Sequence, residues 1–161
     1  MKILIKNYEE KYFNEILENL YNFQLKTKMA EFLDMFKYKT YKEQKLQLKK
    51  DLRELIDNST HTFITWDEKQ NRVHVFCTFN IIDNDCHLTL IFQPNDYHFI
   101  YSMKPAQALF NLGMRLANTN KIRARIQRNK TETYIKYLNR YYNVEILDDN
   151  YNILLYQKTI K

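Results

Sequence analysis

The chain has 161 residues, 45% of them hydrophobic and 27% charged, with a formal net charge of +6. That length and balance suit one domain with a substantial core and exclude a disordered chain; they leave no need for disulfides. No apolar run is long enough to span a bilayer and no charged-then-apolar start resembles an export signal, so a protein inside the cell, without membrane contact, is expected.

The positive charge permits contact with nucleic acid or another polyanion without requiring it. Cys77 and Cys86 both fall in alternating apolar segments and read as buried thiols rather than as a bridge. Lys, Asn, Ile, Tyr and Phe abound, while glycine occurs once. Such a skew would follow from an AT-rich genome, as of a phage or a low-GC bacterium.

In chain order, residues 2–6 form a short strand with Ile3 and Ile5 on one face. Phe13, Ile16, Leu17 and Leu20 keep helical spacing over 9–25. A second helix is predicted over 28–36, then a connection, then a third helix over 42–57 with Leu48, Leu52, Leu55 and Ile56 inward. Its Lys, Glu and Arg residues make a solvated outer face. A three-strand meander follows over 60–66, 72–80 and 85–93. Strict alternation puts Ile64, Trp66, Val73, Val75, Cys77, Phe79, Cys86, Leu88, Leu90 and Phe92 on the core face. The other face then carries His61, Phe63, Thr65, His74, Phe76, Thr78, His87, Thr89 and Ile91, with His61, Thr78 and His87 in one row. Two imidazoles separated by two strand spacings, without a third ligand, do not make a zinc site, and no metal is expected.

The stretch from His87 to Tyr142 organises the rest. A strand ending in Gln93–Pro94, a helix over 105–118 and a strand over 121–127 form a crossover of the kind that joins parallel strands. Pro105 falls in the first helical turn, which proline tolerates. Ala106, Leu109, Phe110, Gly113, Leu116 and Ala117 form the buried stripe. Gly113, mid-helix, costs about 1 kcal/mol against alanine, and close approach of the helix to the sheet explains it. In the next strand Ile122, Ala124 and Ile126 face one way and Lys121, Arg123 and Arg125 the other. A last helix covers 129–142, and a hairpin closes the chain.

This order of elements resembles the GNAT family of N-acyltransferases. Leu88 to Pro94 looks like the family's fourth strand, which often runs into a proline-containing loop. The helix containing Leu109 to Ala117 looks like the one following the acyl-CoA site. Tyr137 to Tyr142 is similar to the closing signature of tyrosine, three residues, Gly-Phe, with Tyr141 and Tyr142 in place of glycine and phenylalanine. Asn129 resembles the asparagine that opens this segment. The resemblance implies an α+β fold, a single domain over 1–161 with a mixed, mainly antiparallel sheet flanked by helices. It also implies Tyr137 as a general acid and acetyl-CoA as cofactor if the chain is an enzyme. The family grips the CoA pyrophosphate with a Gln/Arg-x-x-Gly-x-Gly/Ala loop, whose glycines let backbone N–H groups approach the phosphates. Residues 95–104 here contain no glycine. They carry Tyr97, His98, Phe99 and Tyr101 instead.

Each candidate has a functional and a plainer reading. Tyr137 either protonates a leaving thiolate or packs as a helix tyrosine. His87 either relays a proton or is a polar sheet residue. Lys121, Arg123, Arg125 and Arg128, with Gln93 and Lys104 nearby, either bind phosphates of CoA or nucleic acid or pair with acidic side chains within the fold. The aromatic loop Tyr97, His98, Phe99 and Tyr101 either stacks on bases, plugs the cofactor cleft or contacts a protein. The preferred expectation is a degenerate, non-catalytic GNAT-like binding or structural protein, of a phage virion or accessory kind. It would use no cofactor, bind a protein partner and lie in the cytoplasm or the virion. An active N-acetyltransferase and a small basic nucleic-acid-binding protein are the alternatives.

Overall fold

The computed structural model describes residues 3–27, 40–94, 96–97, 103–125, 131–149 and 152–158. The helix expected over 28–36 and the residues His98, Phe99, Tyr101, Ile126, Arg128 and Asn129 lie outside them. Strand β1 (Ile3–Asn7) leads through a 3-10 turn (Glu10–Tyr12) into α1 (Phe13–Thr27), followed by α2 (Tyr41–Asn58). The meander is β2 (His61–Asp67), β3 (Arg72–Ile82) and β4 (Asp85–Phe92). Then come α3 (Met103–Leu116), β5 (Lys121–Arg125), α4 (Thr131–Tyr141), β6 (Tyr142–Ile146) and β7 (Asn152–Gln157). The strands form one sheet in the order β1-β2-β3-β4-β5-β7-β6. Among the described strands only β4 and β5 run parallel, as the α3 crossover requires. This is the expected α+β, mainly antiparallel architecture. No helix among the described residues is long and apolar enough to cross a membrane.

Local chemistry explains the helix ends. Thr40 caps α2 by accepting from the Glu43 N–H at 3.2 Å, in the Thr-x-x-Glu pattern of a capping box. At the end of α3, Asn118 takes a left-handed conformation (φ 52°), and the Thr119 N–H returns to the Met114 carbonyl at 3.0 Å. This is the Schellman closure that frees the chain to turn into β5.

Two apolar cores lie on opposite faces of the sheet. One gathers Tyr12, Phe13, Ile16 and Leu20 with Leu48 and Leu52 of α2 over Ile64, Val73, Phe76 and Phe92. The other packs Leu109, Phe110 and Met114 of α3 on Phe63, Cys77, Phe79, Cys86, Leu88 and Ile122. Tyr134, Ile135 and Leu138 of α4 close on this second core. Cys77 and Cys86 are both buried, free thiols within it. Gly113 also faces it: a Cβ there would sit 3.0 Å from the Phe79 ring and 3.2 Å from Cys86 Sγ. The glycine serves close packing, as its position in the stripe implies.

The meander does not keep strict alternation. Between the pairs Ile64–Phe76 and Trp66–Val73, β3 holds one extra residue, so His74 and Val75 together oppose Thr65. The irregular backbone is satisfied locally: the Val75 N–H donates to Thr65 Oγ1 at 2.8 Å, and the Val73 N–H donates to the Glu15 carboxylate of α1 at 3.2 Å. A second extra residue in β4 separates Thr78–Leu90 from Phe79–Leu88, and the Thr89 hydroxyl bonds back to the Thr78 carbonyl at 3.1 Å. Each bulge exchanges the two faces beyond it. Ile64, Trp66, Val73, Leu90 and Phe92 therefore face α1 and α2, while Phe63 and Ile91 join the α3 side. The expected row of His61, Thr78 and His87 does not exist. His61 pairs with Phe79 and stacks on Phe63, whereas His87 pairs with Asn80 on the opposite face.

Candidate functional site

The segment leaving β4 is where the resemblance would place a cofactor loop, and its described part is tied down. Tyr97, one of the aromatic residues read as stacking on bases, plugging the cleft or contacting a protein, is 7% exposed. Its N–H donates to the Pro94 carbonyl at 3.2 Å, which closes a tight turn after β4. Its hydroxyl donates to Asp67 Oδ2 at 2.7 Å and accepts from Arg72 Nε at 3.0 Å. Arg72 lies over the Tyr97 ring, 4.3 Å from its centre, and donates to Asp96 Oδ2 at 2.7 Å. His74 packs against the same ring with centroids 4.0 Å apart. Gln93 donates its side-chain amide to the Tyr97 carbonyl at 3.2 Å. The first turn of the β4–α3 connection is thus knotted onto the corner of β2 and β3.

Electrostatics follow from this burial. The Tyr97 phenol is pushed up to about 12 by burial and by its bond to the Asp67 carboxylate. Burial opposes the charge on Asp67, yet the Tyr97 hydroxyl and the Gln70 and Lys69 N–H groups outweigh it and hold the carboxyl below its ordinary value. Burial lowers His74, with partial compensation from Gln93. Asp67, Arg72 and His74 were not singled out in the sequence. Their shared partner Tyr97 lies 23 to 30 residues away, and no local pattern reports such a pairing.

The remaining candidates are dispersed. His87 is exposed and stands in register with Arg123 across the parallel strands. Arg123 is 3.8 Å from Asp85, with side-chain exposures of 40% and 54%, so the expected acidic pairing is present but wet. Lys121 is half-buried and Arg125 exposed on the same side of β5. Lys121 and Arg123 border a shallow polar cavity of about 880 Å³ with Asp83, Asp85 and Asn118, at the end of β4 remote from Tyr97. Lys104 is exposed in the first turn of α3. Tyr137 is half-buried on α4 with the Arg140 guanidinium 5.1 Å from its ring centre. Tyr142 is the first residue of β6 rather than the end of the helix, and it is buried against Phe110. Leu88 and Ile122 are both buried in the α3-side core, so that face of the two strands is filled at their level.

These residues do not fit the glycine-built pyrophosphate grip. An anion at the start of α3 would need free backbone N–H groups there. Pro105, buried in the first turn, withdraws one, and residues 94–105 contain no glycine to bring the backbone close. Tyr97 holds the start of the connection elsewhere.

By sequence, no protein-family model and no curated protein matches the chain. Solved structures match it over nearly its whole length. The PaiA N-acetyltransferase of Thermoplasma acidophilum in complex with coenzyme A has a TM-score of 0.66 at 15% identity, covering 98% of this chain and 100% of that one. An acetyltransferase of the GNAT family from Staphylococcus aureus Mu50 has a TM-score of 0.62 at 15% identity, covering 97% and 98%. The C-terminal condensation domain of Ebony in complex with beta-alanyl-dopamine has a TM-score of 0.67 at 9% identity, covering 99% and 100%. The likeness is one of fold.

Proposed function

We propose that this chain, which has the GNAT fold, is a non-catalytic member that acts by binding a protein partner, in a setting such as a phage virion or accessory protein. The observation that carries this reading is the state of the β4–α3 connection. Its glycines are absent, and its first turn is committed to a buried Tyr97–Asp67–Arg72 knot. A loop that must wrap a pyrophosphate needs its N–H groups free and its backbone permissive.

The N-acyltransferase reading stays as the second. It is favoured by the solved neighbours described as acetyltransferases, one of them with coenzyme A, and by the position of Tyr137 on α4. The two readings separate on turnover. Incubated with acetyl-CoA and a mixture of primary amines, the chain should release free thiol no faster than buffer alone. Amine-dependent release that Tyr137→Phe abolishes would establish the enzyme instead.

A further inference from the structure

The parallel strands β4 and β5 begin side by side, and the polar cavity of about 880 Å³ opens where they begin. Asp83 and Asp85 line it from the β3–β4 turn, Asn118 and Asn120 from the α3–β5 turn, and Lys121 and Arg123 from β5 itself. Backbone bonds fix both turns. Ile82 and Asp85 pair across the first, with Asp83 left-handed at φ 54°. The second carries the Schellman closure at Asn118, and the Gln157 N–H of β7 donates to the Asn120 carbonyl at 2.9 Å. The walls are therefore preorganised, which lowers the ordering cost of binding.

The side chains, by contrast, are uncommitted. Among the described residues, none of these six side chains donates or accepts a hydrogen bond within the fold. The ion pair between Arg123 Nε and Asp85 Oδ1 spans 3.8 Å, beyond hydrogen-bond reach. At the other end of β4 the same residue types saturate one another in the Tyr97 knot. Here cations on β5 and carboxylates on the β3–β4 turn stand adjacent but unjoined. Two carboxylates oppose a polyanion in this cavity, and two cations oppose a polyamine. A ligand with one charge of each sign on neighbouring atoms meets both. We propose that the cavity binds a free α-amino acid. Its carboxylate takes the guanidinium fork of Arg123, with Lys121 alongside, and its ammonium takes Asp85, with Asp83 alongside. Both charges sit on one carbon, which suits the 3.8 Å between Arg123 and Asp85. Asn118 and Asn120 are left for a polar side chain, since an amide both donates and accepts. This site goes beyond the proposed partner binding: it is remote from Tyr97 and does not depend on whether the chain is catalytic.

Ligand-observed NMR of the full chain with each standard amino acid in turn finds the ligand, and titration gives its affinity. A polar amino acid should saturate the chain with a constant of about 1 mM or below. Arg123→Gln and Asp85→Asn should each weaken that binding about tenfold or more. Their side chains are 40% and 54% exposed, so both variants should fold, which circular dichroism verifies. Two analogues locate the charges. The acid that lacks the amine should bind Asp85→Asn at least as well as it binds the wild type. The amino-acid amide, which lacks the carboxylate, should bind Arg123→Gln at least as well as the wild type. No saturable binding of any standard amino acid below about 10 mM overturns the proposal. So does an affinity that both substitutions leave unchanged, or an analogue that loses affinity in the variant its missing charge should ignore.

Discussion

Gly113→Ala sets two opposed effects against each other inside α3. Alanine is favoured over glycine by about 1 kcal/mol in a helix interior. The glycine has no positive φ to protect, so conformation alone would make the change stabilising. Space decides otherwise. The added Cβ would stand 3.0 Å from two atoms of the Phe79 ring and 3.2 Å from Cys86 Sγ, well inside the usual carbon contact of about 3.5–4.0 Å. Phe79 is fully buried and packed edge-on to Phe63 with centroids 6.3 Å apart, so the ring cannot retreat without moving its neighbours. Overpacking of this kind costs about 1–3 kcal/mol. Net of the propensity gain, Gly113→Ala should destabilise by about 0–2 kcal/mol, and Gly113→Leu by more. A double-mutant cycle with Phe79→Leu isolates the cause. Once the ring edge is gone, Gly113→Ala should become neutral or stabilising, a coupling of about 1–2 kcal/mol. Urea denaturation midpoints at constant slope supply the free energies. A raised midpoint for Gly113→Ala in the wild-type background, or strict additivity with Phe79→Leu, would refute the close-packing account.

Tyr97→Phe keeps the ring between His74 and Arg72 but leaves the buried Asp67 Oδ2 without its donor; it should cost about 1–3 kcal/mol, and spectrophotometric titration should lose one phenol from the group titrating near 12. His74 is held below its ordinary 6.5, so the unfolded chain takes up the proton first. Its stabilisation is complete above about 6.5 and declines as pH falls below it. His74→Phe should flatten that decline in chemical denaturation, and an unchanged pH dependence would exclude His74 as its source. The Arg123→Gln and Arg125→Gln double change should alter stability by no more than about 1 kcal/mol, because Arg123 meets Asp85 at a wet 3.8 Å. If the chain binds DNA through this strand, the same change should flatten the log–log salt dependence by about two, and melting at a markedly lower temperature would show the pairing to be structural instead.

The architecture was legible because helical spacing, turn residues and the β4–α3–β5 crossover all report locally. So was the packing role of Gly113, a lone glycine in an apolar stripe. Thr40 to Glu43 carried a capping signal inside a stretch that reads as a plain connection. The two bulges were not legible. They arise where Thr65 and Glu15 bond to β3 and where the Thr89 hydroxyl turns back on Thr78, contacts set by pairing rather than by neighbours in sequence. Each one reverses a face, which is why His61 and His87 part company. Tyr97 was noticed as an aromatic, but its burial depends on Asp67 and Arg72 at a distant corner.

Isothermal titration of the full chain with acetyl-CoA bears most directly on whether the knotted, glycine-free connection can hold a cofactor. The expected result is no saturable binding tighter than about 1 mM, near −4 kcal/mol. A saturating isotherm with a micromolar constant would contradict the binding-domain reading and mark the chain as an acyltransferase with an unusual loop.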